Sequence, residues 1–434
     1  MSRRLVVLLC ALLASGSFVV ACGDSDSGGG SSSGGGESEA TKGAKVIDPK
    51  SLDNAKGEIT YCQGKDVLGD AKDKVKRFNA ANTGVTVKLV EFPASADEQR
   101  NQFIQRQQAK SGDCDVFSSD VVWTAEFATQ KWLYEMSPYI KTREQEFVKS
   151  TFDTVRYGGG RWGVPQSTDA AFLYYRTDRV DKVPETWQAV YAEAKQKGGI
   201  VYQGAPYEGL TCDFLELAYA AGGEVLSEDG KKVLINSPEN VKALQFMVDG
   251  IKNGSAPKAV ITYMEPESED EFQNGKPSFL RSWPGKYAVY QKSSKIKGKF
   301  AVAPFPPFEG GGTAGILGGH NLVISAYSKN PGGSLKFIDF ATSAETLKHE
   351  AIEFARPPVL TATYDDPEVQ KALPFAKELK QAVGQAKSRP VSEVYPQISQ
   401  AIYKNVNSAL AGRVTPEEAM KEAESQMEKA ISSF

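Results

Sequence analysis

The sequence predicts an α/β protein with more than one sheet, because strand and helix patterns alternate along most of its 434 residues. Gly57 to Cys62 is a β-prone run, and apolar residues then recur at helical spacing between Leu68 and Phe78. Val85 to Leu89 alternates apolar and polar residues, as a half-buried strand does. This order of strand, helix and strand is typical of a parallel sheet with a crossover helix.

The same alternation continues toward the C-terminus. Asp97 to Lys110 has a helical pattern, and Asp115 to Phe117 is predicted to be a buried strand. Further strands are predicted at Phe172 to Arg176 and at Asn321 to Ala326. Two later helices begin with clear start signals, which are Ser237-Pro238 and the capping box Thr415-Pro416-Glu417-Glu418.

The N-terminus has the pattern of an export signal followed by a linker. Arg3 and Arg4 precede an apolar run from Leu5 to Leu13, and Val19-Val20-Ala21-Cys22 follows. The apolar run is too short and too interrupted to span a bilayer, which takes roughly 20 apolar residues. The pattern resembles a bacterial lipoprotein signal, which implies a signal peptide over 1–21 and a lipid on Cys22. The Gly/Ser-rich segment that follows predicts a flexible tether over 22–56.

Composition excludes several classes of function. Apolar residues make up 41% and charged residues 24%, as in ordinary soluble globular proteins. The formal net charge of -3 gives no basic surface for nucleic acid. His320 and His349 are the two histidines, too few for a histidine-rich metal site. Cys62, Cys114 and Cys212 permit one disulfide of unspecified pairing, and we expect mostly buried, small hydrophobic side chains.

Several segments resemble the solute-binding proteins of ABC importers, and in particular the group that captures maltose, trehalose and related sugars. Their order along the chain carries the resemblance, which runs from about Gly57 to the C-terminus. The segments are Asp115 to Leu133, Gly163 to Pro165 with Thr168 to Arg176, Phe272 to Lys276 with Arg281 to Pro284, Gly318-Gly319 with Leu322 to Ser325, and Ser328 to Pro331.

The resemblance implies a two-lobed, periplasmic-binding-protein-like type II fold with the ligand in a cleft between discontinuous lobes. The first lobe would comprise 57–169 and 318–353, and the second 170–317 and 354–434. The hinge crossings would lie near Asp169 and near residues 311–319, where glycines suit a strand that must bend. A simple surface loop at these glycines is the alternative. We expect the cleft to close on a neutral sugar.

A sugar site needs carboxylates that accept from hydroxyl groups, and the chain offers three candidates, of which the resemblance implies Asp120 first. Asp120 follows a predicted strand, where ligands in open α/β sheets bind. Asp66 lies in the loop after the first strand. Both residues have the alternative role of capping a helix. Asp169 lies in the hinge segment, where it would accept from a hydroxyl or brace the hinge.

The resemblance also implies donors and aromatic walls for the same cleft. Arg100 and Arg389 are candidate donors, because a guanidinium group donates two parallel hydrogen bonds. The alternative for Arg100 is a surface ion pair, and the alternative for Arg389 is a solvated side chain. Aromatic candidates would stack on sugar C–H faces, with core packing as the alternative. Gly319 would offer backbone groups. The donors and aromatic candidates are Arg100, Arg389, Trp123, Tyr207 and Trp283.

The predicted function is therefore a membrane-tethered, extracytoplasmic binding protein that captures a di- or oligosaccharide and delivers it to a permease. We expect a monomer, no cofactor, no metal, no nucleic-acid partner and no enzymatic activity. A non-sugar solute is the alternative ligand, and a secreted glycoside hydrolase is the alternative class, since cleft carboxylates serve both. The pair Tyr174-Tyr175 would suit ferric ion, but neighbours in a strand face opposite ways.

Overall fold

The computed structural model describes residues 38–433, except 82, 228, 229 and 231. The predicted signal peptide, Cys22 and the first part of the predicted tether lie outside the described residues. The strands are β1 (Gly57–Gln63), β2 (Val85–Glu91), β3 (Val116–Asp120), β4 (Arg156–Tyr157), β5 (Gly160–Arg161), β6 (Val164–Asp169), β7 (Phe172–Arg176), β8 (Ile200–Val201), β9 (Phe279–Ser282), β10 (Phe300–Ala303) and β11 (Gly318–Ile324).

The helices occupy most of the chain between these strands, and none in the described residues has the length and apolar character needed to cross a bilayer. They are α1 (Asp70–Ala80), α2 (Ala96–Gln108), α3 (Thr124–Thr129), α4 (Ser137–Ile140), α5 (Lys149–Asp153), α6 (Trp187–Lys197), α7 (Glu208–Ala220), α8 (Pro238–Lys252), α9 (Glu265–Asn274), α10 (Lys286–Lys292), α11 (Pro331–Ala341), α12 (Ala344–Phe354), α13 (Pro367–Ala372), α14 (Ala376–Gln385), α15 (Tyr395–Leu410) and α16 (Pro416–Ser432).

The first sheet has the order β2-β1-β3-β11-β6. Strand β1 pairs in parallel with both β2 and β3, as the alternating sequence pattern predicts. Strand β11 is antiparallel to β3 and β6. This sheet and the helices packed on it form the first lobe, with a core that includes Ile59, Phe78 and Leu335.

The second sheet has the order β10-β7-β9-β8, and β7 is antiparallel to both neighbours. This sheet forms the second lobe together with its helices, among which α15 packs against α7 and α8. The chain leaves the first sheet after Asp169 and enters the second at Phe172, then returns between Ala303 and Gly318. The chain thus changes sheets near Asp169 and before Gly318, and the lobe boundaries and hinge role of these segments stay a prediction.

Side-chain caps fix two predicted helix starts. Ser237 accepts a hydrogen bond from the backbone N–H of Asn240 at the start of α8. Thr415 and Glu418 form a reciprocal capping box at the start of α16. Each cap satisfies backbone donors that have no partner inside the helix, which explains why these sequence signals located the boundaries.

The segment before β1 is part of the folded body, which corrects the predicted extent of the tether. The backbone N–H of Ile47 donates to the carbonyl of Glu135 at 2.9 Å, and the Ile47 side chain is buried. Lys131 Nζ donates to the carbonyl of Ala40 at 2.6 Å. Apolar burial and backbone pairing therefore hold the chain from residue 38 onward, so a tether can extend only to about residue 37.

The three body cysteines divide into a disulfide and a thiol. Cys62 in β1 is bonded to Cys114, which lies two residues before β3, and their Cα atoms are 5.8 Å apart. Cys212 is a buried free cysteine on α7. The sequence permitted one disulfide and left its pairing open, because sequence spacing does not show that β1 and β3 are neighbours, and all three cysteines are buried as expected.

Candidate functional site

A cavity of about 360 Å³ lies at the carboxyl ends of β1, β2, β3 and β6 and against α7, α9 and the segment after β9. Ligands of open α/β sheets bind at this edge. The polar side chains that line it are Lys65, Gln99, Asp120, Asp169, Tyr207, Glu208, Cys212, Glu265, Glu269, Asp270, Trp283, Lys286, His320, Arg356 and Arg389.

Most of the residues predicted from the sequence are brought together in this cavity, although they come from distant parts of the chain. The first lobe contributes two carboxylates, and the second lobe contributes aromatic side chains. Gly319 belongs to β11, which follows the second crossing between the sheets. The predicted residues that line the cavity are Asp120, Asp169, Tyr207, Trp283, Gly319 and Arg389.

Three predicted residues do not line the cavity, which corrects the sequence-based expectation for their positions. Trp123 is 4% exposed and packs between the rings of Phe117 and Phe127, so it belongs to the core. Arg100 forms an ion pair with Glu126, with Nε and Oε2 2.7 Å apart. Their alternative roles, core packing and an ion pair, therefore describe Trp123 and Arg100 in this conformation.

Asp66 caps the region where α1 begins. Its two carboxylate oxygens accept from the backbone N–H groups of Gly69 and Lys72, at 2.8 and 3.0 Å. Lys65 and Val67, its immediate neighbours, do line the cavity. The capping alternative thus describes the contacts of Asp66, while the loop that carries it still forms part of the cavity wall.

Asp120 combines both roles that the sequence left open. Its Oδ1 accepts from the backbone N–H of Val122 at 3.1 Å, which caps the short turn after β3. The same oxygen accepts from Nη2 of Arg389 at 3.1 Å. In the described part of the chain, Oδ2 of Asp120 has no hydrogen-bond partner, so it is available as an acceptor for a ligand hydroxyl.

Asp169 is a buried carboxyl group at the end of β6. Burial raises its pKa to about 7, although the nearby charge of Arg356 acts in the opposite direction. No hydrogen bond reaches its carboxyl group from any residue described in the structure. Close to neutral pH, this group is therefore present in both protonation states and can donate to or accept from a ligand.

An aromatic wall is formed by Trp283 and held by a carboxylate. The indole Nε1–H of Trp283 donates to Oε1 of Glu265 at 3.3 Å, and the hydroxyl of Tyr207 donates to Oε2 of the same residue at 2.6 Å. Trp283 is half-buried, and a Cβ at Gly318 would lie 3.2 Å from its ring. These contacts fix the ring plane and leave part of it on the cavity.

The guanidinium group of Arg281 stacks against Trp283, with Cζ 4.0 Å from the ring centroid. Arg281 is in turn held by Asp213, with Nε and Oδ1 2.7 Å apart, and by Glu216 at 2.9 Å from Nε to Oε2. A buried cation with two carboxylate partners is rigidly placed. The ring that faces the cavity therefore has a fixed support behind it.

Gly319 occupies a position that other residues cannot take. Its φ is +118°, and a Cβ there would lie 2.3 Å from the carbonyl oxygen of Ser167 in the neighbouring strand. The pairing between β11 and β6 shifts register between His320 and Asn321. A glycine is therefore required for the close approach of the two strands at the second crossing.

Sequence reasoning missed several charged residues of the wall. Glu208 and Glu265 were not predicted, although Glu208 directly follows the predicted Tyr207. Arg356 lines the cavity and forms a two-pronged ion pair with Asp70, each N–O distance being 3.1 Å. Its position before Pro357 and Pro358, just after the predicted lobe boundary at residues 353–354, is a loop signal that could have indicated it.

The chemistry of the cavity suits a ligand rich in hydroxyl groups. Carboxylates offer acceptors, Arg389 and Arg356 offer forked donors, and Trp283 offers an apolar face. No group of three or more potential metal ligands was found among the described residues. Tyr174 of the tyrosine pair is buried and donates to the carbonyl of Trp283 at 2.9 Å, outside the cavity lining.

Comparison with known proteins agrees with this geometry. Residues 65–348 match the sequence pattern of the family of bacterial extracellular solute-binding proteins. A probable ABC transporter-binding protein of Deinococcus radiodurans is 36% identical over 396 residues, which cover 85% of this chain and 93% of the relative. The resemblance inferred from the sequence motifs is thereby confirmed.

Solved structures give the same architecture. Maltose-bound MalE3 of T. maritima is similar with a TM-score of 0.82 and 36% identity, over 86% of this chain and 99% of that chain. A solute-binding protein of Thermotoga lettingae, bound with α-D-tagatose, has a TM-score of 0.80 and 26% identity, over 87% of this chain and 100% of that chain.

These matches confirm the predicted two-lobed fold, and they are to transport proteins and not to enzymes. The chain is therefore a solute-binding protein of an ABC transporter and belongs to the family of bacterial extracellular solute-binding proteins.

Proposed function

We propose that the chain captures a sugar of the trehalose or maltose type, a di- or oligosaccharide, in the cavity between its lobes and delivers it to the permease of an ABC importer. The observation that carries this proposal is the combination, in one cavity, of the free acceptor on Asp120, the guanidinium group of Arg389 and the fixed ring of Trp283. Vicinal hydroxyl groups bind such acceptors and donors, and sugar C–H faces stack on such rings.

The carboxylates disfavour an anionic ligand. Glu265 accepts from the neutral donors of Tyr207 and Trp283, and Asp169 has no hydrogen-bonding partner among the described residues. Lys286 is paired with Glu269 at 2.8 Å. Arg389, Lys286 and Arg356 are already matched by carboxylates, and the lining carries more acidic than basic side chains. An anion would therefore meet excess negative charge, whereas a neutral polyol would not.

A thermal-shift screen of the body tests this function, with maltose, trehalose, longer glucans, pentose oligomers and amino acids as separate arms. Amino acids are included because a relative that is 23% identical is described as a probable amino-acid transporter-binding protein of Sinorhizobium fredii. A ligand at a hundredfold excess over its Kd stabilises the fold by about 2.7 kcal/mol. Stabilisation by amino acids alone would overturn the sugar proposal, and cleavage of the recovered sugar would favour a hydrolase.

Trp283→Ala is expected to weaken binding of the stabilising sugar about tenfold, because stacking on the indole is worth roughly 1–2 kcal/mol of apolar burial. Calorimetric titration measures the change. Trp132→Phe is the matched control, since Trp132 is half-buried and does not line the cavity. Unchanged affinity together with a large loss of stability would show that Trp283 is only a core residue.

We also propose that the mature body is a monomer held on the extracytoplasmic face of the membrane by a lipid on Cys22. The family is extracellular, which agrees with an exported chain. Cys22→Ala is expected to move the protein from the membrane fraction to the soluble fraction, because the acylated thiol is lost. Cys10→Ala, within the predicted signal peptide, is the control. A Cys22→Ala protein that remains acylated and membrane-bound would refute the anchor.

A further inference from the structure

Glu208 occupies a junction between the lobes that the sugar chemistry alone does not explain. It is the first residue of α7 in the second lobe, and its side chain is buried in the cavity wall. Its carboxylate accepts from Nη1 of Arg389 at 2.7 Å, and also from the hydroxyl groups of Tyr395 and Ser399. Three donors thus hold both oxygens of Glu208, which leaves this carboxylate little capacity for a ligand.

The guanidinium group of Arg389 links Glu208 to a carboxylate of the first lobe. Its other amino nitrogen, Nη2, donates to Oδ1 of Asp120 at the end of β3, 3.1 Å away. Nε of Arg389 is buried and has no partner in the described residues. Nη2 also donates to the carbonyl of Leu317 at 3.5 Å. The arginine is therefore clamped at both ends by carboxylates of different lobes.

A second contact joins the same two lobes at Glu208. The backbone N–H of Glu208 donates to Oδ2 of Asp97, which lies in the first turn of α2, at 3.2 Å. This N–H is one of the unpaired donors at the start of α7. Glu208 consequently meets the first lobe twice, once directly through Asp97 and once through Arg389.

We propose that Glu208 is the positioning residue of the site: it holds Arg389 across the cleft against Asp120 and so sets both the approach of the two lobes and the direction of the arginine donors. This inference rests on the proposed function only for the ligand, because the approach of the lobes can be measured without one. Glu208 acts through Arg389 and does not itself bind the sugar.

The test combines Glu208→Gln and Arg389→Lys as single and double variants, with maltose as the probe and solution scattering of the unliganded protein as a second readout. Glu208→Gln keeps the shape of the side chain but loses the charge that holds Arg389. It is expected to weaken maltose binding about tenfold, as the loss of a hydrogen bond to a charged group does. It is also expected to increase the radius of gyration of the unliganded protein.

The double variant separates positioning from a general structural role. If Glu208 acts through Arg389, Glu208→Gln will cause little further loss of maltose affinity in the Arg389→Lys background. If the two residues act independently, the fold-changes in Kd of the single variants will multiply in the double variant. Glu193→Gln is the matched control, because Glu193 pairs with Lys197 on α6 and does not line the cavity. It is expected to change neither readout.

The outcomes distinguish this inference from the proposed function. If the wild-type protein binds no sugar, the proposed function fails, and the scattering of the unliganded variants alone decides the role of Glu208. An unchanged radius of gyration in a folded Glu208→Gln protein would overturn the inference. The inference would also be overturned if the fold-changes in maltose Kd of the two single variants multiplied in the double variant.

Discussion

Removal of the Cys62–Cys114 disulfide is expected to lower the free energy of unfolding by about 4 kcal/mol, because the cross-link closes a loop of 52 residues in the unfolded chain. The variant Cys62→Ala/Cys114→Ala measures the effect, and its midpoint in guanidinium is compared with that of the wild type. Both sulfur atoms are buried, so reduction of the wild type should require partial unfolding.

The same double variant shows whether a thiol reductant affects stability in any way other than by cleaving this disulfide. A thiol reductant present during unfolding should lower the midpoint of the wild type toward that of the variant, and it should not move the midpoint of the variant. Cys212 is the remaining body cysteine, and it is free in both proteins. Equal midpoints for wild type and variant without reductant would contradict a stabilising role for the cross-link.

Asp169→Asn is expected to stabilise the unliganded protein at alkaline pH and to weaken ligand binding at the same time. Burial raises the pKa of Asp169 to about 7 from its ordinary value of 3.8. Ionising this group is thus harder in the folded protein than in the unfolded chain, so its contribution to stability is present below about pH 4 and is lost as pH rises to 7. At pH 8 the loss is up to about 4 kcal/mol, and an uncharged amide avoids it.

Thermal melts of the wild type and of Asp169→Asn between pH 4 and pH 8 test the first half of this expectation. The difference between their melting temperatures should increase as the pH rises. Calorimetry tests the second half, in which loss of a charged acceptor weakens binding about tenfold. Asp249→Asn, on the exposed face of α8, is the control. A pH-independent gap would show that Asp169 is not the titrating group.

The local order of strands and helices was predictable because each element has its own signal. The first strand, first helix and second strand were placed within a few residues of β1, α1 and β2. The strand predicted at Asp115 to Phe117 extends to Asp120, because Ser118, Ser119 and Asp120 pair with β11. Both serines are buried although they are polar. Ser118 donates to Oε1 of Gln166 across the sheet, a compensation that a local pattern cannot show.

The cavity residues were partly predictable, and the failures have a common cause. Asp120 and Asp169 end strands, so the edge of the sheet on which they lie follows from the fold class. Arg100 is satisfied by Glu126, which is distant in sequence, and Trp123 turns into an aromatic core. The partners of Glu208 come from near the C-terminus, so its role became visible only when the chain was folded.

The partial exposure of Trp283 has an optical consequence. Trp123, Trp162 and Trp187 are buried, Trp132 is half-buried, and none of these four lines the cavity. Their emission should be a constant background, whereas the environment of Trp283 changes when solvent on its open face is replaced by a solute. Intrinsic tryptophan fluorescence thus gives this protein a built-in reporter of occupancy, without any dye or label.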